Sequence, residues 1–190
     1  SVLIPLPGML YMGATAMEEG NVLVVADMLL DGSLPHGDVE YLYPPGNIWA
    51  VATAFWLLEP SVLIERLVGL AYRAFLLLGI YKMTRPWGHG TATAATLTAW
   101  IMLAPFGLIA YPWLCGLAML SIGIALVLDG GARRSAAVGA ALLGLAVFHQ
   151  LVFGPAVLFL LGMEMWNTTR ARRRRLLTGL AAGLSPFLLH

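Results

Sequence analysis

The sequence predicts an all-α fold, a polytopic transmembrane helix bundle of about seven or eight hydrophobic segments. Three observations carry this expectation. Hydrophobic residues make up 59% of the chain and charged residues 11%, with a mean hydropathy of +0.82; a soluble domain carries about 25% charged residues. Apolar runs follow one another along the chain. The basic residues gather at a few points between those runs, as positive-inside topology requires. Net charge is +1 and gives no sign of a nucleic-acid partner. The lone Cys115 excludes an internal disulfide and reads as a packing residue.

Taken in order, the chain opens on Ser1 with an apolar run to Tyr11 broken by Pro5 and Pro7, and closes on His190 inside another apolar run. It reads as one transmembrane domain over 1–190, a piece of a longer protein, with the Val2–Tyr11 run as the outer end of a first span. The further candidate spans are Asn47–Leu58, Val62–Lys82, Thr91–Ile109, Trp113–Leu128, Ala136–Phe148, Leu151–Met165 and Leu176–Leu189. A span needs about 20 apolar residues, so several are short, and Ala136–Met165 reads as two short helices broken at 149-HQ-150 or one long tilted helix. Gly139, Ala140, Gly144, Gly179, Ala182 and Gly183 let helix backbones approach closely. The clusters Lys82/Arg85, Arg133/Arg134 and Arg170 with 172-RRRR-175 mark cytoplasmic loops of a multi-pass plasma-membrane protein. One parity question stays open: the short Asn47–Leu58 run either inserts partially or turns the Lys82/Arg85 loop outward.

Between Met17 and Gly46 the character changes. Glu18, Glu19, Asp27, Asp31, Asp38 and Glu40 fall within one segment, expected to be an extracytoplasmic loop ahead of the bundle at 47–190. Within it, Val22, Val25, Ala26, Leu29 and Leu30 form an apolar stripe at helical spacing, and Gly32 stands where a helix C-terminus wants glycine. The pattern predicts an amphipathic helix lying at the membrane surface, with Tyr41 and Tyr43 at head-group level. Glu18 and Glu19 follow directly on an apolar run. A carboxylate where a span leaves the membrane is partly desolvated, hence more basic, and suits a general base. Inside the Val62 run, Glu65, Arg66 and Arg73 are expensive in lipid and must face the interior, pair or snorkel. They serve either as structural partners or, for Arg66 or Arg73, as a bidentate contact to a lipid phosphate.

The order 18-EEG-20, a short helix ending in 29-LLDG-32, then 34-LPHGD-38, 43-YPPG-46, a span and 66-RLVG-69 resembles the N-terminal part of GT-C superfamily membrane glycosyltransferases of the protein O-mannosyltransferase and aminoarabinose transferase type. The later 139-GAALLGLAVFHQ-150, 170-RARRRR-175 and 185-SP-186 fit the same order. The likeness covers nearly the whole chain and about the first half of a family member. It implies inverting transfer of a sugar from a polyprenyl-phosphate donor to an acceptor glycan, lipid or protein, with membrane lipids around it and no redox or nucleotide cofactor. It places the catalytic base on Glu18 or Glu19 and a second acid on Asp38, and puts His149 near a position where relatives carry a lysine; Arg66, Arg73, Tyr43 and His149 are the candidate substrate contacts. Three positions depart from the pattern: Glu18 for the usual aspartate, His149 or Gln150 where relatives carry lysine, and 111-YPWLCG-116 in place of a Gly-Gln-x-Asp motif. A lysine would pair with phosphate; His149 does so only when protonated.

Other features read blandly. The arginine run is a topology anchor rather than a nucleic-acid patch. His36 and His89 lack partners at metal-ligand spacing, a divalent ion near the acids has no support, and 129-DGGARRS-135 lacks the lysine and strand of a phosphate loop. The rival function is a transporter or flippase path lined by Glu65, Arg66 and Arg73, or a non-catalytic scaffold subunit.

Overall fold

The computed structural model describes Gly8, Leu10 and residues 17–129 and 135–188. The expected first span at Val2–Tyr11 and the Arg133/Arg134 cluster lie outside the described residues, apart from Gly8 and Leu10. The described chain is helical, as expected: α1 (Glu18–Leu30), α2 (Gly46–Leu58), α3 (Val62–Thr84), α4 (His89–Leu103), α5 (Pro112–Leu128), α6 (Ser135–His149), α7 (Gly154–Trp166) and α8 (Arg170–Leu184).

Local chemistry sets these boundaries. Ser61 Oγ accepts from the Ile64 amide at 3.2 Å and opens α3. Thr169 does the same for Arg172 at the start of α8. Pro112 takes the first position of α5, where its missing N–H costs nothing. Gly32, at a φ of +93°, turns the chain out of α1 while the Gly32 and Ser33 amides donate to Leu29 and Met28 carbonyls.

The transmembrane bundle is corrected. Among the described residues no helix is long and apolar enough to cross a membrane. The reason lies in how the runs are cut. α3 has 23 residues but carries Glu65, Arg66, Arg73 and Lys82. α5 is free of charge but stops at 17 residues. The Thr91–Ile109 run breaks at Leu103 into a 3-10 turn, Ala104–Phe106, and an irregular segment. Ala136–Met165 is two helices separated at Gln150, and the last run is drawn into a helix that starts at Arg170. The multi-pass plasma-membrane placement, with its cytoplasmic arginine loops and extracytoplasmic acidic loop, falls with the spans. The interfacial helix is corrected too. The α1 stripe of Val22, Val25, Ala26 and Leu29 packs on Ile48, Val51, Ala52 and Phe55 of α2, while Leu30 stays exposed.

Two apolar clusters hold the helices. One joins α1, α2, α3 and the first half of α5 through residues such as Val25, Phe55, Leu76 and Leu114. The other joins the end of α5 to α6, α7 and α8 through Val127, Leu143, Leu161 and Leu176. Thus α5 belongs to both. The small residues do what their spacing promised at the α6–α8 crossing, where a Cβ on Gly179 or Gly183 would strike the carbonyl oxygen of Ala137 or Ala141. Much apolar surface stays open, including Trp56, Leu57 and Leu58 at the end of α2 and Leu158, Phe159, Met163 and Trp166 on α7.

Candidate functional site

The charged residues of the apolar run meet at one place. Glu65, Gly69 and Arg73 recur every four residues on one face of α3, with Arg66 beside them. That face looks onto the irregular stretch after α4, where Leu108, Ile109 and Ala110 are buried without a regular backbone ladder. Buried peptide groups must be paired, and α3 pairs them. Glu65 Oε1 accepts from the Ala110 amide at 2.6 Å. Arg73 donates to the carbonyls of Gly69 at 2.9 Å, Ile109 at 3.3 Å and Phe106 at 3.4 Å. From α2, Asn47 Nδ2 donates to the Ala110 carbonyl at 2.8 Å. Gly69 is the residue that lets the strands of chain meet, since a Cβ there would run into the Leu108 carbonyl oxygen.

Arg66 turns the other way and grips the start of α1. Its Nε and Nη2 donate to the two carboxylate oxygens of Glu19 at 2.6 and 3.0 Å, a bidentate fork, and its Nη1 donates to the Leu10 carbonyl at 2.8 Å. Glu19 is fully buried. Burial pushes the Glu65 carboxyl up to about 7; the Ala110 amide holds it back and the Glu19 charge adds to the rise. Arg73 remains a cation, although burial lowers it to about 10.

Glu18 is placed differently from its neighbour. It is exposed and stands beside the Tyr111 hydroxyl, whose pKa rises to about 12 through burial first and the Glu18 carboxylate second. Tyr111 stacks on Trp113 at 5.5 Å between ring centroids, and Phe106 meets both edge-on, at 6.3 and 5.3 Å. An accessible carboxylate therefore borders a half-exposed aromatic cluster on the segment that α3 pins.

The other expected site residues are elsewhere. Asp38 is exposed and closes its own loop, accepting from the Leu34 amide at 2.9 Å. Tyr43 packs edge-on against buried Tyr41 at 5.8 Å. No hydrogen bond, ion pair or ring contact joins either to Glu18 among the described residues. His149 is buried at the end of α6 against Gly46, where a Cβ would lie 2.8 Å from its Nδ1. Burial lowers its pKa to about 4, so at neutral pH it carries no charge to offer a phosphate. Among the described residues no three His, Cys, Asp or Glu side chains are grouped to hold a metal ion.

Sequence reasoning missed the cluster of Tyr111, Trp113 and Phe106, and Tyr111 as the neighbour of Glu18. The one signal for Tyr111 and Trp113 was the aromatic 111-YPW-113, which stood out as a departure from a motif. It also missed Asn47, a polar residue at the head of an apolar run. In comparisons with known proteins, no family model matches this chain, and neither does any curated protein or solved structure.

Proposed function

We propose that the chain transfers a sugar from a polyprenyl-phosphate donor to an acceptor hydroxyl, with Glu18 as general base. The observation that carries the reading is the contrast within one acidic pair: Glu19 is buried in the fork of Arg66 while Glu18 stays open beside Tyr111, whose ring belongs to a cluster with Trp113 and Phe106. The apolar C–H face of a pyranose packs well on such rings, and a carboxylate at their edge is within reach of a hydroxyl held there.

In the reaction the Glu18 carboxylate takes the acceptor proton and the acceptor oxygen attacks the anomeric carbon. The bond from that carbon to the phosphate oxygen breaks, the polyprenyl phosphate leaves with the electron pair, and the configuration inverts. The donor is already activated, so no nucleotide or redox group enters. Arg66 and Arg73 act as positioning residues, one fixing the start of α1 and the other fixing the Phe106–Tyr111 segment. The rival transport path would need Glu65, Arg66 and Arg73 free to meet a solute. Each is engaged with backbone or with Glu19, and this favours the enzyme.

The test supplies labelled polyprenyl-phosphate sugars and compares wild type with Glu18→Gln and Glu19→Gln. Loss of a general base costs about 10²–10⁴ in rate; that loss is expected in Glu18→Gln with the thermal melt unchanged. Glu19→Gln is expected to lower the melting temperature. Equal transfer by wild type and Glu18→Gln would remove Glu18 from the chemistry, and no donor consumption by wild type would remove the reaction.

A further inference from the structure

A second feature lies at the opposite end of α3 and does not rest on the transfer reading. Here the turn after α3 and the last turn of α5 enclose a cleft of about 640 Å³. Lys82, Arg85 and Trp87 form one wall, and Leu126, Leu128 and Asp129 belong to the other. α8 brings its arginines to the same end, because Arg172 donates to the Val127 carbonyl and pairs with Glu164 at the end of α7.

Cations near helix C-termini often do no more than satisfy terminal carbonyls. Lys82 and Arg85 are not needed for that. The Ile80 and Tyr81 carbonyls accept from the Thr84 hydroxyl at 2.7 and 3.4 Å, and the Val127 carbonyl accepts from Arg172. Neither Lys82 nor Arg85 makes a side-chain hydrogen bond or ion pair among the described residues, with Asp129 or any other acid. Both are exposed. The cleft therefore combines two uncommitted cations, an indole that is 72% exposed and apolar walls. Two cations match the oxygens of a phosphoryl group, and the indole and leucines match a hydrocarbon stem.

We propose that this cleft binds a phosphate ester on an apolar stem, with the phosphoryl group between Lys82 and Arg85 and the stem along Trp87, Leu126 and Leu128. Asp129 lies in the same lining and makes no ion pair with either cation. The phosphoryl group can come from a lipid in a bilayer or from a soluble ester, and the experiment separates the two.

The purified chain is sedimented with vesicles of phosphatidylcholine alone and with phosphatidic acid added, and titrated with inorganic phosphate. Three variants are compared: Lys82→Gln/Arg85→Gln, Arg173→Gln/Arg174→Gln as a matched charge loss outside the cleft, and Trp87→Ala. Circular dichroism checks that each stays helical. At about fivefold per basic residue near an anionic surface, the Lys82/Arg85 pair is expected to cost about thirtyfold on phosphatidic acid vesicles. The Arg173/Arg174 pair, which does not line the cleft, is expected to cost less than about threefold, because it acts on the bound phosphoryl group only across screening solvent. Trp87→Ala is expected to weaken vesicle binding and leave any phosphate binding intact. Saturable phosphate binding that competes with vesicles points to a soluble ester, and binding to acidic vesicles alone points to a lipid head group. Equal losses in the two double variants would overturn the proposal, as would equal binding to both kinds of vesicle. Vesicle binding unchanged in Trp87→Ala would overturn the apolar stem.

Discussion

The two ends of α3 carry the same kinds of side chain and use them in opposite ways. Near its start, Glu65, Arg66 and Arg73 are buried and tied to Glu19, Leu10 and the Phe106–Ala110 backbone. At its other end, Lys82 in the last turn and Arg85 just after it are exposed and tied to nothing among the described residues. The difference teaches that charge in an apolar sequence has no single meaning. A buried charge is kept because removing it would orphan partners, whereas an exposed charge is free to meet something outside the chain.

Breaking the buried end is expected to have the largest effect. Removing one partner of a buried ion pair leaves the other uncompensated, at about 3–5 kcal/mol. Arg66→Met should therefore lower the unfolding free energy by that order, measured by denaturant titration. Glu19→Gln/Arg66→Met should recover much of the loss, since replacing both partners avoids the orphaned charge. A double variant no better than Arg66→Met would show that Arg66 matters through Leu10 or through packing instead. Gly69→Ala attacks the same place by shape. Its methyl meets the backbone carbonyl of Leu108 rather than a side chain that could swing aside, so a loss of about 1–3 kcal/mol is expected.

A pH experiment divides the buried residues further. His149 is lowered from 6.5 to about 4 by burial, so between those values the unfolded chain holds a proton that the folded chain does not. Its contribution to stability is complete above pH 6.5 and is lost as pH falls toward 4, by about 3 kcal/mol in all. Glu65 is raised from 4.5 to about 7, so the folded chain holds the extra proton. Its contribution is complete below pH 4.5 and is lost as pH rises toward 7. The two slopes oppose each other between pH 4.5 and 6.5. His149→Phe should uncover a stability that falls with rising pH in that window, and Glu65→Gln one that rises. If both variants keep the wild-type profile, neither group titrates as its burial requires.

How far these regions were legible in the sequence follows from range. The α1 stripe and the Gly32 stop are local patterns, and both are present; for Ala136–Met165 the sequence left two readings, and the structure has the one broken at 149-HQ-150. The need of Glu65, Arg66 and Arg73 for interior partners was also legible, because it follows from the cost of a lone buried charge. The partners were not. Glu19 lies 47 residues from Arg66, and Ala110 lies 45 from Glu65; no periodicity links such positions. The span expectation failed for a related reason. Hydropathy counts apolar residues but does not locate the 3-10 turn at Ala104 or the early start of α8 that cut those runs short. Glu18 was legible as a candidate beside Glu19, but only packing separates the open acid from the buried one.

The smallest expected effect sharpens the comparison inside the basic end itself. Lys82→Gln/Arg85→Gln should change stability by no more than about 0.5 kcal/mol, the usual range for surface sites without partners. Arg172→Gln should cost more, about 1 kcal/mol. Arg172 is only partly exposed, and its guanidinium bridges the Val127 carbonyl at the end of α5 to Glu164 at the end of α7. Losing it leaves the Val127 carbonyl, which ends a helix, short of a donor. Thermal melts of the two variants side by side decide the matter. If the Lys82/Arg85 variant loses as much as Arg172→Gln, those two cations are structural after all, and the opposition between the two ends of α3 narrows to one of exposure.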